Sequence, residues 1–261
     1  MATGKIHAAR ALAGSGMLIA SLALAGGAHA ATIDSDHDGL SNSFELYRSH
    51  TNPFRKDTDR DGISDAAENP DHDKLSNLSE QKAHLNPLKA DSDGDGRPDW
   101  AEDNDHDGLN TLSEIRAHEN PVDADTDNDG TLDGQEDSDS DGLTNHQEQG
   151  LGTNPGDADT DNDGTSDANE DKDGDGLSNE FELNDSHTSP SAADSDHDGT
   201  PDGAEDDDAD GVDNEQEQAD GTDPEDADTD NDGTPDGAET DSPDPSPTAS
   251  PTATRLVFRI G

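Results

Sequence analysis

Asp at alternate positions, then Gly, then Glu six residues further on, is a spacing that recurs twelve times along this chain. The acidic residues of the motif are Asp34, Asp36, Asp38 and Glu45; Asp57, Asp59, Asp61 and Glu68; Asp71, Asp73 and Glu80; Asp91, Asp93, Asp95 and Glu102; Asp103, Asp105, Asp107 and Glu114; and Asp125, Asp127, Asp129 and Glu136. They continue with Asp137, Asp139, Asp141 and Glu148; Asp159, Asp161, Asp163 and Glu170; Asp171, Asp173, Asp175 and Glu182; Asp194, Asp196, Asp198 and Glu205; Asp206, Asp208, Asp210 and Glu217; and Asp228, Asp230, Asp232 and Glu239. Carboxylates at loop positions 1, 3 and 5 converge on one point only if the backbone turns sharply after them, which is the role of Gly at position 6. A backbone carbonyl from position 7 and both oxygens of the Glu at position 12 complete the oxygen-rich shell that a hard cation such as Ca2+ takes. The third loop departs from the pattern, with Asn69 at position 1 and Lys74 in place of Gly, so a cation there is expected to face an intruding ammonium and to bind most weakly.

Composition alone does not distribute charge this way. Of the 67 acidic residues, 53 fall on the loop template, counting an Asp at position 9 of every second loop: Asp65, Asp99, Asp133, Asp167, Asp202 and Asp236. Loop starts are separated alternately by 22 or 23 and by 12 residues, so the repeating unit is a pair of loops of 34 or 35 residues, present six times over residues 31–239. A period of this size marks a repeat array. Leading loops carry an apolar residue at position 7 (Leu40, Leu75, Leu109, Leu143, Leu177, Val212), and the spacer after each contains one of Pro53, Pro87, Pro121, Pro155, Pro190 and Pro224, four residues before the trailing loop.

The single loop matches the EF-hand template, but the elements that would position EF-hands are missing. Glu68, Glu102, Glu136, Glu170 and Glu205 are followed directly by the next loop, leaving no room for an entering helix, and position 8 is mostly polar where paired EF-hands couple through an apolar residue. The chain has a formal charge of −53 and only 25% hydrophobic residues. Burial on that scale does not offset chain entropy, so folding must be driven by neutralising carboxylates. The charge also argues against nucleic acid and anionic lipid as partners, and with no Cys there is neither a disulfide framework nor a thiolate site.

Strings such as DSDGDGRPDWAE at 91–102, DKDGDGLSNEFE at 171–182 and DTDNDGTPDGAE at 228–239 resemble the thrombospondin type 3 repeat. The resemblance covers Asp34 to Glu239 and implies tandem loops wrapped around a line of calcium ions, in secreted, cell-surface or adhesion proteins. Animal members staple such repeats with disulfides, so this chain is similar to the Cys-free bacterial form. The expected fold class is an irregular, metal-stabilised tandem-loop repeat array with short helical turns and little regular secondary structure, not paired EF-hands. The cofactor expected is Ca2+, at up to about twelve sites.

Outside the array, residues 1–30 read as a signal peptide: Lys5 and Arg10, an apolar run from Ala11 to Ala25, and Ala28-His29-Ala30 before a cut at Ala31. Residues 240–254 read as a Pro/Ser/Thr-rich linker and 255–261 as a short apolar tail. His37, His72, His106 and His197 at loop position 4, and His50, His84, His118 and His187 before the spacer prolines, are expected to be solvated. No nucleophile elbow, phosphate loop or metalloprotease helix is present, so no enzymatic activity is expected. The resulting function is a secreted or cell-surface calcium-binding spacer or adhesive stalk, with an extracellular protein or polysaccharide surface as partner. The alternatives are the stalk of a larger enzyme or cell-wall-binding protein, and a calcium reservoir or mineral-associated matrix protein.

Overall fold

The computed structural model describes residues 33–239, so the signal-peptide, linker and tail readings lie outside the described residues. Within them the chain is an irregular array of short helices and loops without strands. Each leading loop runs into a helix: α1 Asn42–Phe44, continued by a π turn Glu45–Ser49, then α2 Asn77–Ala83, α3 Thr111–Ala117, α4 Asn145–Leu151, α5 Asn179–Asn184 and α6 Asn214–Asp220.

Position 8 starts these helices. Ser41, Ser76, Asn110, Thr144, Ser178 and Asp213 each accept the backbone N–H three residues on through the side chain, filling one of the orphan donors of the first turn. Left-handed residues stop four of them: His84, His118, Gly152 and Gly221 terminate α2, α3, α4 and α6, and His50 terminates the π turn. The short helical turns expected after the leading loops are thus helices of up to about two turns. Trailing loops have no room for a helix because the next unit follows at once. From unit 2 onward they end in a single 3-10 turn: Asp99–Ala101, Asp133–Gln135, Asp167–Asn169, Asp202–Ala204 and Asp236–Ala238.

The spacer proline is buried in all six units. It occupies the second position of a β turn, where its fixed φ is an advantage, and the turn is closed by bonds such as Arg55 N–H to the Asn52 carbonyl at 2.9 Å. Leu40, Leu75, Leu109, Leu143 and Leu177 are fully buried beneath the helices, in small clusters rather than one core.

Glutamines in α2, α4 and α6, one residue past the position 12 Glu, clamp neighbouring units together at alternate junctions. Gln149 accepts the Asn110 N–H at 2.7 Å and donates to the Gly108 carbonyl at 3.0 Å; Gln81 and Gln218 make the same pair of bonds to units 1 and 5. Gln149→Ala removes both bonds and is expected to cost roughly 1–2 kcal/mol. In native-state hydrogen exchange the loss should be confined to the boundary between units 3 and 4.

Candidate metal centres

Each loop is built by its own aspartates. Asp34 is typical: its two carboxylate oxygens accept the N–H groups of His37 and Gly39 at 2.7 and 3.1 Å, while Asp38 Oδ1 accepts that of Leu40 at 2.8 Å. The N–H donors hold each carboxylate in place, and the remaining oxygens face inward. Position 4 has positive φ in all twelve loops, occupied by His37, Arg60, His72, Gly94, His106, Asn128, Ser140, Asn162, Gly174, His197, Ala209 and Asn231. Frequent Gly and Asn at this position are the legible trace of the left-handed geometry.

The structure separates two kinds of site. In the six leading loops the position 12 glutamates, Glu45, Glu80, Glu114, Glu148, Glu182 and Glu217, are fully buried. Both carboxylate oxygens of Glu45, Glu80 and Glu114, and one each of Glu148, Glu182 and Glu217, are buried without any hydrogen-bond partner. Buried oxygens of Asp36, Asp38, Asp71, Asp73, Asp105, Asp139, Asp173, Asp175 and Asp208 are unpartnered beside them. Among the trailing loops only Asp194 has such an oxygen. Orphaned carboxylates cost too much to bury without a counterion.

These leading sites are not made by one loop. Asp38, Glu45 and Asp65 each bring a ligand atom within 4.8 Å of the others, so the position 9 Asp of the trailing loop joins the carboxylates of the leading loop. The pattern repeats as Glu80 with Asp99, Glu114 with Asp133, Glu148 with Asp167, Glu182 with Asp202 and Glu217 with Asp236, each pair close enough to repel. These six aspartates are absent from the ligand set read from the sequence, which treated each loop as self-contained. Their carboxylates are held by a relay. The Ser or Thr hydroxyl at position 2 of the trailing loop donates to Asp at 2.7–2.8 Å and accepts a spacer N–H at 2.8–2.9 Å, as in Asn52 to Thr58 to Asp65 and Asn120 to Thr126 to Asp133. The proline turn thus positions a residue of the preceding loop's site. The constant Ser or Thr at position 2 is the sequence signal that could have revealed it.

Burial, and then the adjoining aspartates, push the leading glutamates far above the ordinary carboxylate range. Glu45 and Glu217 rise to about 7, Glu148 and Glu182 to about 8, and Glu80 and Glu114 to about 9. The trailing sites are more open. Asp91, Asp93, Asp95 and Glu102 form one compact cluster, and Asp57, Asp59 and Asp61 another, with their carboxylates exposed or half-buried. Glu68, Glu102, Glu170 and Glu205 are raised by burial and then by neighbouring aspartates, while Glu136 reaches about 7 through burial and then Glu119.

The third loop corrects one expectation. Lys74 adopts φ +87°, taking the turn that Gly makes elsewhere, and its ammonium lies 3.5 Å from the centre of the Trp100 ring. The cation–π contact engages the ammonium, and Asp71, Asp73 and Glu80 keep the same orphaned oxygens as other leading sites. Lys74→Gly is expected to alter Trp100 fluorescence markedly while leaving the carboxylate cluster in place.

An all-oxygen donor set with unsatisfied buried oxygens fits a hard divalent cation that takes six to eight oxygen ligands. The position 4 imidazoles, His37, His72, His106 and His197, are all exposed, with His106 Nδ1 4.0 Å from an Asp103 carboxylate oxygen. The spacer cations serve the backbone: Arg55 donates to the Thr58 carbonyl and Lys56 to that of His37. No helix among the described residues is long and apolar enough to cross a membrane.

Residues 34–56, 57–70, 137–158 and 171–191 match the family model of the bacterial TSP3 repeat. These four segments are thus repeats of the thrombospondin type 3 kind, which supports a calcium-binding structural repeat protein. Comparison with curated proteins and with solved structures finds no match.

Proposed function

We propose that this chain is exported and acts outside the cell as a calcium-rigidified spacer or adhesive stalk that carries no catalytic activity of its own. The observation that carries the reading is the fully buried glutamate with orphaned oxygens in every unit. Such an interior is stable only with cations inside it, which makes calcium a structural part of the array. Extracellular calcium modules bind in the roughly 0.1 to 1 mM range, so a stalk of this kind is rigid outside the cell. A signal peptide ending at Ala30 supports the export.

Two measurements test this reading. N-terminal sequencing of the protein recovered from the culture medium or cell surface should begin at Ala31; a chain retained inside the cell would remove the extracellular role. Coated onto beads, the chain should adhere to cells or cell-surface polysaccharide in millimolar calcium and release on chelation. Altered mineral growth without adhesion would favour a matrix protein instead.

A further inference from the structure

The five internal junctions of the array share one construction: the helix of each unit lies over the leading loop of the unit before it. A side chain at Gly39 would meet Leu78 at 3.5 Å, one at Gly108 would meet His146 at 3.4 Å, and ones at Gly142 and Gly176 would meet Glu180 and Glu215 at 3.2 Å. At the second junction Leu112 packs on the cluster around Leu75. At two junctions the residue after the spacer proline approaches the helix end of the preceding unit. Gly156 sits against the Arg116 carbonyl, and Glu225 lies 3.5 Å from His187.

The two halves of this junction are left open at opposite ends of the described residues. In unit 6 none of the described residues lies within 4 Å of where a Gly211 side chain would stand, and Val212 is partly exposed where its five leucine counterparts are fully buried. In unit 1 Leu46 and Tyr47 of the π turn and Phe54 of the proline turn, exposed by 52%, 77% and 63%, line a groove of about 650 Å3 together with Pro53. Ile115 and Leu183, the counterparts of Leu46, are partly buried, and Leu88 and Val122, the counterparts of Phe54, are exposed by 43% and 39%, less than Phe54; the counterparts of Tyr47 are exposed in every unit. Terminal units of repeat proteins are ordinarily capped by polar faces, and unit 1 is the reverse. Both units are acidic, unit 1 the less so: it holds Arg48, Arg55, Lys56 and Arg60 beside nine acidic residues, whereas unit 6 has sixteen acidic residues and no Lys or Arg.

We propose that unit 6 of one copy docks on the exposed face of unit 1 of the next, continuing the internal stack from molecule to molecule. Such a contact joins two different surfaces, so it propagates head to tail rather than closing a two-fold dimer.

Sedimentation velocity of the full chain in millimolar calcium should show average mass rising with concentration, with Leu46→Ser/Phe54→Ser weakening association at least tenfold. An unchanged Trp100 spectrum verifies that the variant is folded. Because the chain has no Cys, a Phe54→Cys copy mixed with an Ala219→Cys copy should cross-link to each other in preference to themselves. A monomer at all concentrations would overturn the proposal, as would undiminished association of the double variant or preferential self-pairing of Phe54→Cys. Intramolecular cross-linking of Phe54→Cys to Leu256→Cys would also overturn it, by showing that the chain's own tail covers the face.

Discussion

Chelating calcium from the full chain at pH 7 to 8 is expected to unfold every unit, with a large rise in hydrodynamic radius and exposure of Trp100. Six glutamates are buried against aspartates, with pKa values raised to between about 7 and 9. Without a cation each must be protonated or left charged and unpaired. At neutral pH this costs about 2 kcal/mol per site after allowing for solvent screening. Six sites amount to on the order of 10 kcal/mol, which is comparable to the whole stability of an ordinary domain, and this chain has only small apolar clusters to set against it. Refolding on adding calcium should be cooperative near millimolar concentration and little reproduced by magnesium, which dehydrates reluctantly and demands near-octahedral geometry.

The pH dependence of the calcium-free state has a defined sign. Because the folded pKa values lie above the unfolded value of 4.5, the folded state binds more protons between pH 4.5 and about 9. Its stability therefore falls as pH rises through that window. The metal-free chain should be more compact at pH 4 than at pH 8, and equal radii at the two values would refute the role assigned to the buried glutamates. Calcium-loaded protein should show the opposite trend, since protons compete for the same oxygens.

Asp133→Asn is expected to weaken the site of the preceding loop more than its own. Asp133 belongs by sequence to the loop of Asp125, Asp127, Asp129 and Glu136 and lies near enough to repel Glu136, yet its carboxylate also faces the fully buried Glu114 and the aspartates of the loop before. In a calcium titration followed by NMR, the midpoint reported by the Gly108 amide should move tenfold or more to higher calcium, while that of Gly130 moves by less than about twofold. Glu136→Gln should do the reverse. A shift at Gly130 alone in the Asp133 variant would show that each loop binds independently.

Much of this architecture is legible in the sequence because it is local. The Asp-x-Asp-x-Asp-Gly turn is stabilised by hydrogen bonds spanning two to five residues, as at Asp34 and Asp38, so spacing alone specifies it. The exclusion of EF-hands was equally local, since no residues stand between Glu102 and Asp103 for an entering helix. The short helices are legible in the Ser, Thr, Asn or Asp at position 8, whose side chain caps the first turn.

What the sequence determined by itself is the number and order of loops, the donors each supplies at positions 1, 3, 5 and 12, and a donor set suited to a hard cation, because those follow from residue type and short-range turn geometry. What only the tertiary structure decided is how the loops share their charges. Asp133 and Glu114 are nineteen residues apart in sequence, and Gln149 clamps a loop 39 to 41 residues before it. These contacts depend on a proline turn and a Thr hydroxyl that fold each trailing loop back onto the leading one. Burial then divides the sites, closing the leading glutamates away from water and leaving the trailing ones open, a distinction that twelve nearly equivalent motifs do not carry.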